Sequence, residues 1–184
     1  MKKLAFIFCV CLLSLTIQAQ KTSHLKFMGI ELNGTISEFQ SKLLAKGLKV
    51  SLESKNRPNG QRVYEGTFSG EEATICVWYD TRTKIVYRTK VLISREREDL
   101  IKQLKSSFED KLDIKYGTDT KKVEKKKDNY LHEFYDCYYM LENGEVDLYI
   151  GSTGYTSFGT FFLHIDYLDM VNYIMNKKNE MDDL

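Results

Sequence analysis

Glu72-Ala73-Thr74-Ile75-Cys76-Val77-Trp78-Tyr79 is the stretch that decides the fold. Ala73, Ile75, Val77 and Tyr79 alternate with more polar neighbours, the period of two that belongs to a strand with one buried face. The run Ile85 to Ile93 follows with Ile85, Tyr87, Val91 and Ile93 in the same alternation, and Gln61 to Phe68 precedes as a third strand. Asn59-Gly60, Ser69-Gly70 and the polar Asp80 to Lys84 stretch supply the turns. A helix stands before these strands. Thr35 and Glu38 form a T-x-x-E capping box, Ile36, Phe39, Leu43 and Leu44 share one helical face, and Gly47 provides the stop.

The same order recurs downstream. Ser94 is the expected N-cap of a helix striped by Leu100, Ile101, Leu104, Phe108 and Leu112. Gly117 to Asn129 reads as a loop rich in lysine and threonine. Strands are expected over Tyr130 to Leu141, Glu145 to Ile150 and Phe158 to Tyr167, with Asn143-Gly144 as a hairpin turn. A last short helix carries Leu168, Val171, Ile174 and Met175 before a polar tail, 176–184. The expectation is an α+β fold of tandem helix-plus-three-strand units, about 27–93 and 94–175, whose helices pack on one face of an antiparallel sheet. Ser94 follows Ile93 without a linker, so the halves are expected to form a single domain over 20–175.

The 184 residues are 42% hydrophobic and 29% charged with a net charge of +1, the composition of a globular chain. That balance speaks against general nucleic-acid binding, which needs a basic surface. Residues 1–19 read as a secretory signal: Met1-Lys2-Lys3 is the positive start, Leu4 to Ile17 the apolar stretch, and cleavage is placed after Ala19. Cys9 and Cys11 lie inside the apolar stretch, so no lipid-anchored cysteine is expected. The expected destination is periplasmic or secreted, soluble after signal cleavage and without membrane insertion. In such an oxidising compartment Cys76 and Cys137 are either a disulfide, worth about 4 kcal/mol over a loop of about 60 residues in the chain-entropy model, or two buried free thiols.

Motifs for chemistry are few. His132-Glu133 begins like a zinc-protease helix motif but meets Asp136 where histidine is required, and it falls in a strand. His24, His132 and His164 lack ligand spacing and are expected at the surface or in hydrogen bonds, so no metal and no cofactor are assigned. Gly151 to Gly159 has the composition of a phosphate loop without its Gly-Lys ending or following helix, and reads as a hairpin loop. Asp80, Glu133, Asp136, Asp147 and Asp166 lie in strand-like runs, yet nothing in their spacing selects a pair for acid–base work. The chain is therefore read as a non-enzyme.

One feature is unusual: eight of the 12 tyrosines lie between Tyr130 and Tyr173. Strand propensity and core packing account for such a cluster, and so does an interaction face. Neighbours in Tyr135-Asp136-Cys137-Tyr138-Tyr139 point to opposite sides of a strand. Some tyrosines are thus expected on an open sheet face beside Trp78. Trp78, Tyr138, Tyr149, Tyr155 and Phe158 are the candidate binding residues. The expected function is a binding module that contacts another protein. Alternatives are an inhibitor or immunity protein against an envelope enzyme or toxin, or a glycan-binding accessory that stacks polysaccharide on its aromatic rings.

The run Phe27-Met28-Gly29-Ile30-Glu31-Leu32-Asn33-Gly34-Thr35-Ile36, continued by Phe39, Leu43 and Lys46-Gly47, resembles small secreted proteins of Bacteroidetes, as does the signal ending Gln18-Ala19-Gln20. The resemblance implies a bacterial envelope location and brings no catalytic residues. In topology the repeated plan is similar to the β-lactamase-inhibitor and PepSY-like group, whose tandem units bind proteins across a sheet, an analogy of fold alone.

Overall fold

The structure is a computed structural model that describes residues 23–127, 133–153 and 160–181. Its first elements are a small hairpin, β1 (Lys26–Phe27) and β2 (Ile30–Glu31), turned through Met28 and Gly29, both at positive φ. Such a two-residue turn matches the twist of the strands and calls for glycine at one position. Helix α1 (Ile36–Ala45) follows, with the Thr35/Glu38 capping box formed in both directions. Then come β3 (Lys49–Val50), a 3₁₀ turn (Leu52–Asn56), β4 (Gln61–Phe68), β5 (Glu71–Tyr79) and β6 (Val86–Arg95). The second half is α2 (Glu98–Tyr116), β7 (Lys121–Lys127), β8 (Glu133–Leu141), β9 (Gly144–Thr153), β10 (Thr160–Asp169) and α3 (Met170–Met181).

Strands β3 to β10 form one eight-stranded sheet in the order β3-β4-β5-β6-β10-β9-β8-β7. The halves meet where β6 and β10 pair antiparallel, from Arg95 opposite Phe161 to Arg88 opposite Leu168. The fold is α+β, as expected, and each half is a helix followed by four strands. In this sheet the strands missed by sequence are the two-residue β3 and the lysine-rich β7, which replaces the expected loop. Only Val123 marks β7 as a strand, because an edge strand tolerates charge on both faces.

The core is read along one row of the sheet. Tyr64, Ile75, Val91, Ile165, Leu148 and Cys137 stand opposite one another across six strands, and none is more than 1% exposed. Above this row lie α1, through buried Ile36, Phe39 and Leu43, and α2, through Ile101, Phe108 and Leu112. The N-terminal hairpin completes the same layer. Phe27 is fully buried, stacked on Phe68 at 5.6 Å and edge-on to Tyr167 at 5.2 Å.

Four local expectations are corrected. Ser94 does not cap α2; it pairs with Phe162 inside β6, and the helix opens at Glu98 after Arg97. At the start of β6 the buried residue is Val86 rather than Ile85 or Tyr87, because a bulge shifts the β5–β6 register between Trp78 and Tyr79; Val91 and Ile93 are buried as expected. The β8–β9 turn is Glu142-Asn143, with Leu141 opposite Gly144. Gly144 is required there for another reason: a Cβ would lie 2.3 Å from the Leu168 carbonyl oxygen. Finally, Leu168 lies in β10 rather than opening α3, and α3 buries Asn172 and Asn176 while Ile174 and Met175 stay exposed. Buried Asp169 explains the inversion. Its carboxylate accepts the Asn172 and Leu25 N–H groups, and the Asn172 amide donates to the Leu32 carbonyl, so polar atoms fasten the helix to the hairpin.

Candidate functional site

Alternation that sends Ile75 and Val77 to the core sends Cys76 and Trp78 to the opposite, open face. The register then assembles that face. Cys76 stands opposite Lys90, Lys90 opposite Asp166, and Asp166 opposite Asp147. One step along, Trp78 is opposite Arg88, and Leu92 is opposite His164, which is opposite Tyr149.

Asp166 is only 4% exposed and holds two cations. Arg88 donates from Nε at 2.8 Å and from Nη2, and Lys90 Nζ lies 3.0 Å from the same carboxylate. Hydrogen bonding to Asp166 raises Arg88 above its ordinary pKa. Burial pulls Lys90 down, but the Tyr149 hydroxyl and Asp166 outweigh it and hold the ammonium above its usual value. Lys90 Nζ donates to the Tyr149 hydroxyl at 2.8 Å. The Arg88 guanidinium sits over the Trp78 ring at 5.0 Å, and the Tyr149 ring stacks on His164. His164 is half-buried on this face, and its Nδ1 is buried without a hydrogen-bond partner, where a surface or hydrogen-bonded histidine was expected. Burial, aided by Lys90, lowers its pKa to about 4, so the ring is neutral at neutral pH.

Between this face and the Gly47 to Arg57 segment runs a groove of about 1010 Å³. Its floor is Cys76, Trp78, Lys90, Leu92, Phe162 and His164, and its rim carries Lys49, Glu53 and Arg57. The floor is aromatic and apolar with its one ammonium already paired to Asp166. It offers contact area and hydrogen bonding. Among the described residues, no group of three or more histidine, cysteine or acidic side chains is placed to hold a metal ion.

Of the candidates named from sequence, Trp78 and Tyr149 meet on this cation–π ladder through Arg88 and Lys90. Tyr138 lies on the same face opposite Asp147, farther toward the edge. Tyr155 and Phe158 lie outside the described residues, as does the 1–19 segment. Cys76 and Cys137 are free thiols. They occupy opposite faces of strands four places apart in the sheet, roughly 19 Å at the usual strand spacing, whereas a disulfide needs its Cα atoms within about 7 Å. Sequence reading missed Arg88, Lys90 and His164. The signal present was charge at alternate positions of a strand, Arg88 and Lys90 flanking buried Thr89, which demands solvent or a partner.

No helix among the described residues is long and apolar enough to cross a membrane. No protein-family model, curated protein or solved structure matches the chain.

Proposed function

We propose that this chain is an exported, non-enzymatic binding module that holds another protein on the open face of its sheet. The observation that carries the reading is the groove floored by Trp78, Leu92 and Phe162, whose neighbouring rings are fixed by Arg88, Lys90 and His164. Rings already locked in place lose little freedom on binding, which favours a protein contact built on aromatic anchors. Its sharper form is an inhibitor or immunity protein that blocks an envelope enzyme or toxin. The likeness of the N-terminal run to small secreted Bacteroidetes proteins supports the envelope setting.

A glycan-binding accessory is the second reading, favoured by Trp78 in a groove. Arg88 over one face of Trp78 and His164 against Tyr149 leave less ring surface for a sugar to stack on. The deciding experiment is crosslinking of the chain beginning at Gln20 in the native envelope fraction, followed by affinity measurement with the captured protein. Expected is a one-to-one complex that Trp78→Ala weakens by about 2 kcal/mol with unchanged circular dichroism. Undiminished binding by Trp78→Ala and Tyr149→Ala sinks the open-face reading, and affinity for polysaccharide alone replaces it with the second.

A further inference from the structure

The sheet ends on two unlike edges. One is β3, two residues long; the other is β7, seven residues long, paired with β8 throughout and, among the described residues, with nothing on its outer side. An edge of that length presents a ladder of N–H and C=O groups to an extended chain. Its register with β8 is regular from Lys121 to Lys127, and it contains neither proline nor glycine. Five of its seven residues are lysine and one is glutamate. Two copies laid antiparallel along this edge would set lysine against lysine, which is destabilising. The charge therefore opposes self-pairing and complements an acidic segment.

The helix-facing side adds an apolar feature. Val123 is 54% exposed and Tyr135 55% exposed, although both point to the side where the core lies. With Cys137, Ile150 and the α2 residues Lys105 and Ser106 they line a groove of about 470 Å³ between α2 and the sheet edge. A strand added outside β7 would bring alternate side chains to the mouth of this groove, beside Val123.

We propose that β7 is a docking edge for an extended acidic segment of a partner protein, which joins the sheet as a further strand. Its apolar residue sits beside Val123, and an acidic residue on the other side of the added strand faces Lys122. Lys121 takes no part in that recognition, because Glu109 at 2.6 Å and Asp113 at 3.0 Å already hold it. Lys122, exposed on the other side of the strand, does. This surface is separate from the open-face groove, whose lining extends from the Gly47 to Arg57 segment to β10.

The test uses the chain beginning at Gln20 and a seven-residue peptide alternating glutamate with valine, with the lysine–valine counterpart as control. Hydrogen exchange of the 121–127 amides is followed. Expected is a slowing of about tenfold or more at alternate β7 amides with the glutamate peptide alone, fading as salt is raised. Lys122→Glu weakens that binding about fivefold at preserved circular dichroism, and Trp78→Ala leaves it unchanged. Absent protection in β7, protection confined to other strands, or equal binding of the two peptides overturns the proposal and leaves the lysines as a guard against edge pairing.

Discussion

The rings of Tyr149 and His164 lie nearly parallel, with centroids 4.5 Å apart and 8° between their planes. That stack, rather than a hydrogen bond, is what His164 gains from folding. Its cost is a proton. Burial lowers the folded pKa from 6.5 to about 4, so the unfolded chain binds the proton first as pH falls. His164 therefore contributes stability that is complete above pH 6.5 and is lost between 6.5 and about 4. The loss is expected to be on the order of 3 kcal/mol. Denaturant titrations at pH 7 and pH 4 check this against His164→Phe, which keeps a stacking ring and removes the proton site. An equal fall in both proteins would reject the assignment.

Glu109 governs a lower window. It bridges Lys121 at 2.6 Å and Lys105 at 3.1 Å, tying the last turns of α2 to β7. Burial pushes its carboxyl up, but hydrogen bonds from Lys121 and Lys105 prevail and bring the pKa from 4.5 down to about 2. A depressed carboxyl stabilises above pH 4.5 and loses that contribution as pH falls toward 2. Glu109→Gln is expected to cost about 1 kcal/mol at pH 7, because solvent screens these partly exposed ion pairs, and much less at pH 2.5, where the unfolded carboxyl is protonated and the native one has begun to titrate. A pH-independent difference in unfolding midpoint would contradict this.

Asp169 fastens the N-terminal hairpin to α3. Its oxygens accept from Leu25 N–H at 2.8 Å and Asn172 N–H at 2.9 Å, with His24 Nδ1 at 3.2 Å. Asp169→Ala leaves those two amides unpaired in the interior and removes a helix cap, for an expected cost of about 3 kcal/mol. Amide exchange should accelerate first in Leu25 to Leu32. Uniform acceleration over the whole sheet would argue that the clamp is not local.

The two thiols should behave as thiols. The chain beginning at Gln20, purified without reductant and unfolded, is expected to react with a thiol reagent at both Cys76 and Cys137 and to migrate identically with and without reductant. In the native state Cys137 should react far more slowly than the unfolded chain. It is 1% exposed, and burial raises its pKa, outweighing the opposite pull of Lys105, whose Nζ lies 3.2 Å from its sulfur. A reductant-sensitive intramolecular crosslink would refute the arrangement of the two strands.

Local signals in the chain were sufficient for much of the fold. The α1 capping box, the Ala73–Ile75–Val77 alternation and the α2 stripe, of which Ile101, Phe108 and Leu112 are buried, Leu104 is partly buried and Leu100 is exposed, each act through neighbours in sequence, so the linear text carries them. The strand β7 was illegible because its pairing with β8 provides the backbone bonds while its side chains carry almost no apolar pattern. The buried face of α3 was misread for a related reason: Asn172 and Asn176 are interior only because Asp169, Leu32 and Glu180 supply partners.

What the sequence determined by itself is therefore which residues share a face within one strand: Cys76 with Trp78, Arg88 with Lys90, and His164 with Asp166, each two residues apart. Which of them touch was decided by tertiary structure alone. Pairing β6 with β10 sets Lys90 opposite Asp166, and pairing β10 with β9 sets His164 opposite Tyr149. The side-chain period of a strand is local, but register is a long-range choice made by burying the row from Tyr64 to Cys137, and a slip of one residue would have turned every one of these side chains into the core.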